Sequence, residues 1–295
     1  MELGDKDLPA IYRNADQRSV AAQRHVLRAL KLSLVGVIVA AGFGAASFPS
    51  GSVDWAGVAA STAFLVATLS TAWMLWAKPE QDWYDARAVA ESAKTLTWQY
   101  AVGGGEFIRT EVEDAARTRF LARLRELLDG LERLHPSPSQ EDSPVSARLE
   151  ALRSSSLEER RDAYLENRIS DQCTWYTEKA QWNESRRIAW TTITIVLLGA
   201  GLIFGVAKAF FELDADMIGP AAAAAGSALA WARSKDYAEL AAAYAVTAEE
   251  LRLIEAEPPP REEQTWAAFV ERAERAISRE HTLWKARRGA PRMGP

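Results

Sequence analysis

Residues 188–206 form an apolar run with no charged side chain, IAWTTITIVLLGAGLIFGV. A helix of this length in a soluble protein normally keeps one polar face, whereas this run has none. Its length approaches the roughly 20 apolar residues that a helix needs to cross a bilayer. The mean hydropathy of the whole chain is only −0.18, because charged residues make up 25% of it. The run therefore predicts a membrane span that the average composition conceals.

Three further apolar segments accompany this run, and the four segments fall into two pairs. The first pair is 32–48 and 55–77, and the second pair is 188–206 and 217–232. Segments 32–48 and 217–232 are shorter and rich in small residues, so each alone would also fit a buried helix of a soluble protein. Their pairing favours two transmembrane helical hairpins. We therefore expect an all-α polytopic membrane protein with four spans and long cytoplasmic helices that form a bundle.

Basic residues flank the two hairpins at the ends away from their tips. They are Arg28 and Lys31 before the first span, Lys78 after the second, Arg186 and Arg187 before the third, and Arg233 and Lys235 after the fourth. Short loops rich in Lys and Arg stay in the cytoplasm. The pattern predicts a multi-pass membrane protein with the N-terminus, the central region and the C-terminus in the cytoplasm.

The segments outside the spans are predicted to form long helices, with one linker between them. The Pro/Ser-rich linker at 135–146 separates a first unit, 1–134, from a second unit, 147–295. Each unit repeats the order cytoplasmic helix, hairpin and cytoplasmic helix, and the second unit adds a terminal helix. A short coiled-coil-like seam in the first unit predicts packing on another helix or subunit. The seam consists of Phe120, Leu124, Leu127, Leu131 and Leu134.

The sequence offers little material for catalysis or for metal binding. It contains one cysteine, Cys173, and three widely separated histidines, and it has no nucleotide-binding or hydrolase motif. The glycine triplet 103–105 is followed by no Lys-Ser/Thr pair, so it predicts the end of a helix rather than a phosphate loop. The net charge of −5 gives no general attraction to nucleic acid. We expect no enzyme activity, no cofactor, no metal and no nucleic-acid partner.

The duplicated plan resembles the SLATT family, the two-transmembrane effector domains associated with SMODS nucleotidyltransferases and SLOG sensor domains. In the first unit the resemblance rests on YRNADQRS and WYDARAVAESAKTLTWQY; in the second it rests on RISDQCTWYTEKA, DYAELAAAY and ISREHTLWKARRG. The resemblance covers nearly the whole chain as two tandem copies. It implies a membrane effector of nucleotide-triggered antiviral defence that forms a pore or disturbs the membrane. A nucleotide second messenger or a separate sensor protein would supply the trigger.

Small residues and hydroxyl residues mark particular faces of the expected spans. Gly36, Ala40 and Gly44 form one stripe of the kind that lets helices pack closely in lipid. A second set is either a wall of a pore or a packing seam between helices. That set is Thr191, Thr194, Gly201 and Gly205 on the third span, and Ser61 and Thr68 on the second.

Acidic residues gather at the two hairpin tips. They are Asp54 at the first tip, and Glu212, Asp214 and Asp216 at the second. Four spans enclose an aqueous path poorly, so a pore requires several copies of the chain. In such a homo-oligomer the acidic residues would surround the outer mouth and give a weak preference for cations.

Three functions remain open at this point. The leading hypothesis is an oligomeric pore or channel-type effector in the lipid bilayer, opened by a cytoplasmic signal. The alternatives are a constitutive cation channel and a membrane-anchored helical scaffold that does not conduct.

Overall fold

The computed structural model describes residues 3–109, 113–129, 143–211 and 216–289. The side chains of residues 113, 129 and 279–289 lie outside that description, as does most of the expected linker. Almost all of the described chain is helical, which confirms the all-α prediction.

The elements of the first half are α1 (Ala10–Gly44), β1 (Pro49–Ser50), β2 (Val53–Asp54), α2 (Trp55–Ala77), α3 (Pro79–Val102) and α4 (Glu113–Asp129). Those of the second half are α5 (Ala147–Ser154), α6 (Leu157–Tyr164), α7 (Asp171–Phe211), α8 (Ile218–Lys235), α9 (Tyr237–Ala256) and α10 (Glu263–Gly289). A π-helical segment, Leu165–Ser170, joins α6 to α7, and 3-10 turns lie at Asp5–Asp7 and Gly105–Phe107.

The contacts divide the chain into two compact units, each built from segments of both halves. We call the first the core unit; it comprises Met1–Ala21, Gln81–Ala180 and Ala242–Pro295. We call the second the hairpin unit; it comprises Ala22–Glu80 and Gln181–Ala241. The hairpin unit contains all four expected spans.

Three of the described helical stretches are long and apolar enough to cross a membrane. They are α1, α2 and the continuous stretch from α6 through α7. Helix α8, which contains the expected span 217–232, is not among these three. Four spans therefore stay a prediction, whereas the apolar helices themselves are present.

The first hairpin tip is a small, hydrogen-bonded turn. Helix α1 ends at Gly44, before the expected boundary at residue 48, because the following residues belong to this turn. The backbone N–H of Phe48 donates to Asp54 Oδ1 at 2.9 Å, and β1 pairs antiparallel with β2. Asp54 also caps α2 by accepting from the N–H of Ala56.

The helices that enter the two hairpins are continuous, whereas those that leave them are broken. Helix α1 runs from core-unit residues into hairpin-unit residues, and α6 through α7 does the same. By contrast, α2 is followed by Lys78 (φ 45°) and α8 by Asp236 (φ 49°), both in the left-handed conformation. The run WYDARAVAESAKTLTWQY predicts a helix that continues out of the second span, but Lys78 and the following Pro79 interrupt it.

Aromatic residues fill the interior of the core unit. Trp98, Tyr164, Trp266 and Phe269 are buried and joined by edge-to-face and stacked contacts. The helical spacing of the apolar residues in α10 predicts one buried face. This prediction is confirmed for Trp266, Phe269, Ala273, Ala276 and Ile277, which are buried.

The seam on α4 packs within the chain over the part that is described. The ring of Phe120 stacks on that of Tyr100 in α3, with 4.4 Å between the centroids, and Leu124 is also buried. Leu131 and Leu134 lie outside the described residues. The described half of the seam thus covers a helix of the same chain.

The glycine triplet ends α3, as the sequence predicts. Gly103 follows Val102 with φ 77°, a conformation that favours glycine. A Cβ on Gly104 would lie 2.2 Å from Val270 Cγ1 on α10. The triplet therefore stops one helix and lets another approach.

We expect Lys78→Gly to stabilise the folded protein, because a residue with a Cβ costs about 1 kcal/mol in the left-handed region. Thermal unfolding in detergent should show a higher Tm for this variant. Lys78→Ala is the matched control, since it removes the same charge and keeps the Cβ. An equal gain in Tm from both variants would assign the effect to charge rather than to backbone strain.

Candidate functional site in the hairpin unit

Helices α1 and α2 approach each other closely at Gly36. A Cβ at this position would lie 2.9 Å from the carbonyl oxygen of Ala63 and 3.0 Å from Ala67 Cβ. One turn away, the hydroxyls of Ser33 and Thr71 form a hydrogen bond of 2.8 Å. Small residues with interhelical hydrogen bonds are the usual means of helix association in lipid.

The rest of the predicted small-residue stripe on α1 is less crowded. A Cβ on Gly44 would meet nothing within 4 Å, and Ala40 is half-buried. Of these three residues, Gly36 is the one on which the α1–α2 contact depends.

Helix α8 packs against α1. Ser227 is buried and its hydroxyl donates to the carbonyl oxygen of Leu34 at 3.4 Å. The ammonium group of Lys31 lies 5.6 Å from the centre of the Trp231 ring. These contacts run antiparallel along the two helices, so α8 links the second hairpin to the first.

The predicted glycine face of α7 lies against α8. A Cβ on Gly201 would lie 3.3 Å from Ala221 Cβ, and one on Gly205 would lie 3.7 Å from Ile218 Cδ1. Beside this contact is an apolar groove of about 520 Å³, bordered by both glycines and by Phe210. The structure therefore places Gly201 and Gly205 at a helix-packing position.

The predicted hydroxyl residues lie mostly on exposed surfaces of α2 and α7. Ser61, Thr68 and Thr191 are exposed, and Thr194 is half-buried. The hydroxyl of Thr68 donates to Phe64 O, and that of Thr194 donates to Trp190 O. A hydroxyl bonded to its own helix is satisfied both in lipid and beside water. These residues stay candidates for a pore wall.

The acidic residues at the tips have local partners where they are described. The Phe48 N–H and the Ser47 hydroxyl hold the pKa of Asp54 below its usual value. Asp216 pairs with Lys208 at 3.4 Å. Glu212 and Asp214 lie outside the described residues. The outer acidic mouth thus stays a prediction.

Two models of one domain family match the chain in tandem. Residues 9–161 match SMODS and SLOG-associating 2TM effector domain 3. Residues 164–284 match SMODS and SLOG-associating 2TM effector domain 1. The chain belongs to the SLATT family. No curated protein and no solved structure matches it.

The family fixes the general class of the protein. SLATT domains are two-transmembrane effector domains linked to defence systems, so this membrane protein carries two such domains and has a membrane effector role. The two SLATT copies follow one another in sequence but share the core unit in space. The expected boundary at the 135–146 linker stays a prediction, and the first family match extends to residue 161.

A buried ionic cluster joins the two SLATT copies inside the core unit. Glu274 on α10 is fully buried, and both of its carboxylate oxygens accept from Arg168, at 2.9 and 2.7 Å. The hydroxyls of Tyr164 and Thr95 also donate to it, at 3.0 and 2.8 Å. Thr95 belongs to the first copy and the other three residues to the second, so one carboxylate ties α3 to the π-helical region and α10.

The surroundings of the cluster shift the pKa values of Tyr164 and Arg168. Burial raises the pKa of the Tyr164 phenol, and the charge of Glu274 raises it further, so Tyr164 stays a hydrogen-bond donor. Burial alone would lower the pKa of Arg168, but the adjacent Glu274 raises it on balance. Arg168 thus keeps its positive charge beside Glu274.

Sequence reasoning missed this cluster because charged helical residues usually form solvated pairs. The sequence nevertheless contains a pattern that could have indicated the cluster. Arg153, Arg160 and Arg168 recur every seven or eight residues, and all three are buried. Arg153 donates to Phe107 O, and Arg160 donates to Val102 O and pairs with Glu263.

Cysteine and histidine are residue types that often bind metals or take part in catalysis, so their positions are of interest. Cys173 is buried, with its Sγ 3.7 Å from Ala248 O, as expected for a packed residue. The side chain of His281 is outside the described set. Within the described ranges, His, Cys, Asp and Glu side chains form no group suited to hold a metal ion.

We expect Gly36→Ala to destabilise the hairpin unit, because the new methyl group would press on a backbone carbonyl. Gly42→Ala on the same helix is the matched control, since its Cβ would meet nothing within 4 Å. The control should be neutral or stabilising, since alanine favours a helix by about 1 kcal/mol over glycine. Thermal unfolding in detergent measures both. Equal Tm values for the two variants would contradict the close approach.

We expect Arg168→Met to lower the free energy of unfolding by about 3 kcal/mol or more, because it leaves the Glu274 carboxylate buried without its counter-charge. The double variant Arg168→Met/Glu274→Leu should lose less, since it removes both charges. Arg187→Gln tests an exposed pair, with Glu184, and should destabilise the protein far less, because solvent screens an exposed ion pair. A double variant that is less stable than Arg168→Met would overturn this account of the cluster.

Proposed function

We propose that the protein is an oligomeric pore-type effector of the bacterial inner membrane, with both termini in the cytoplasm, opened by a cytoplasmic signal. The observation that carries the proposal is the exposure of two apolar helices. In their most apolar windows, 6% of α2 and 0% of α7 are buried within the chain. Such surfaces must meet either lipid or other copies of the chain.

The order of helix contacts supports assembly into a ring. Contacts link α2 to α1, α1 to α8, and α8 to α7. Helices α2 and α7 also expose large apolar side chains such as Leu65 and Leu202. A head-to-tail contact between α7 of one copy and α2 of the next would close a ring if the rotation is suitable.

The exposed hydroxyls supply a candidate lining for such a ring. Ser61 and Thr68 share one face of α2, and Thr191 is exposed on α7. The four expected spans contain no charged side chain at mid-membrane depth, which argues against a proton relay. A pore of this kind would be closed by apolar constrictions. Asp54 and Asp216 would favour cations weakly at its outer mouth.

The continuous helices offer a route for the signal. Helices α1 and α7 contain residues of both units, and a helix transmits displacement along its axis. We infer that a nucleotide second messenger or a sensor protein acts on the core unit and that α1 and α7 carry the change to the spans.

Overproduction in bacterial cells, with potassium efflux and membrane potential as readouts, tests the pore. We expect leakage from the wild-type chain and much less from Thr68→Leu/Thr191→Leu, because leucine would remove the polar lining. Thr62→Leu/Thr192→Leu is the matched control, since these threonines lie about 100° or more around the same helices. The control should leak like the wild type.

Insertion into the membrane fraction must be equal for all chains in this experiment. Leakage from the fully inserted Thr68→Leu/Thr191→Leu chain equal to that of the wild type would overturn the polar lining. Purified protein in vesicles distinguishes a triggered effector from the remaining alternative, a constitutive channel. A triggered effector stays closed without ligand, whereas flux without any ligand would indicate a constitutive channel.

A further inference from the structure

Two lysines from different helices converge on one tryptophan ring in the hairpin unit. Lys31 on α1 and Lys235 on α8 each place their ammonium group 5.6 Å from the centre of the Trp231 ring. Their ammonium groups are therefore no more than about twice that distance apart. Trp190 on α7 lies 6.1 Å from Trp231. The cluster thus draws on three helices.

These lysines differ from the neighbouring cations in their partners. Within the described part of the chain, neither Lys31 nor Lys235 has a carboxylate within ion-pair distance. By contrast, Arg187 pairs with Glu184, and Lys208 pairs with Asp216. Burial lowers the pKa of Lys235, and the charge of Lys31 lowers it further. Two adjacent cations without a counter-charge favour an anionic ligand.

The position of the cluster indicates where that anion comes from. Lys31 directly precedes the apolar run that begins at Leu32, and Lys235 ends α8. Tryptophan rings favour the boundary between hydrocarbon and headgroups, and basic pockets between membrane helices bind lipid phosphates. The anion expected at the boundary between hydrocarbon and headgroups is the phosphate of a lipid.

We propose that Lys31, Trp231 and Lys235 bind the phosphate-bearing headgroup of an anionic phospholipid. The lysines neutralise the phosphate, and the indole ring orients both ammonium groups. The proposal rests on the insertion of α1 and α8 that the proposed function includes, but not on conduction. A protein that inserts and never conducts would still have this site.

Native mass spectrometry of the full chain in a neutral detergent tests the site. The probe is dioleoyl phosphatidylglycerol, and dioleoyl phosphatidylcholine, a zwitterion without net charge, is the reference. We expect the wild type to retain the anionic lipid preferentially. Lys31→Gln/Lys235→Gln should weaken its apparent affinity by roughly thirtyfold, because each basic residue near an anionic lipid contributes about a factor of five.

Two further variants separate the site from general charge and from folding. Arg187→Gln removes one nearby cation that already has a partner, and it should bind the lipid like the wild type. Lys31→Arg/Lys235→Arg keeps both charges and should restore binding. Unchanged lipid retention in the double glutamine variant, or an equal loss in Arg187→Gln, would overturn the proposal.

The last part of the experiment uses soluble phosphates as competitors of the lipid. Inorganic phosphate and a cyclic dinucleotide should neither displace phosphatidylglycerol nor bind measurably at the same concentrations. Displacement by the dinucleotide, with loss in the double glutamine variant, would assign the cluster to a soluble ligand and overturn the lipid as its source. None of these readouts depends on ion flux, so their outcome is independent of the pore.

Discussion

A peptide group in hydrocarbon has no water to bond with, so a chain that enters a bilayer must pair its backbone groups internally. For this chain the constraint selects helices, and the short tips between them fold each pair into a hairpin. A hairpin returns the chain to the end at which it entered. The segments before and after each hairpin can therefore pack together, and the core unit is made from such segments of both SLATT copies.

The features that the sequence predicts correctly depend on neighbours along the chain. The apolar runs, the buried face of α10 and the end of α3 at Gly103 follow from periodicity and local conformation. The capping box of Ser156 and Glu159 forms as its spacing predicts. Each of these needs only residues within a few helical turns of one another.

The features that sequence reasoning missed depend on contacts between distant segments. Glu274 and Arg168 look like solvated charges until α3, α6 and α10 enclose them. Gly36 and Gly44 lie on one stripe, yet only the former of these two meets α2 at close range. The pairing of Lys31 with Trp231 likewise requires that α8 lies on α1. The sequence identifies such residues as candidates but does not show which helix each one contacts.

The two copies share an asymmetry that restricts how the proposed opening can proceed. Each enters its hairpin on an unbroken helix and leaves it through a left-handed residue, Lys78 in one copy and Asp236 in the other. A continuous helix resists bending, whereas a single residue between two helices absorbs a change of angle. In the proposed function, α1 and α7 would therefore transmit displacement as rods, while α2 and α8 change angle at their exit residues. Helix α7 would then be driven directly, whereas α2 would follow through Lys78. An opening of this kind needs no charge within the membrane, which agrees with spans that contain none.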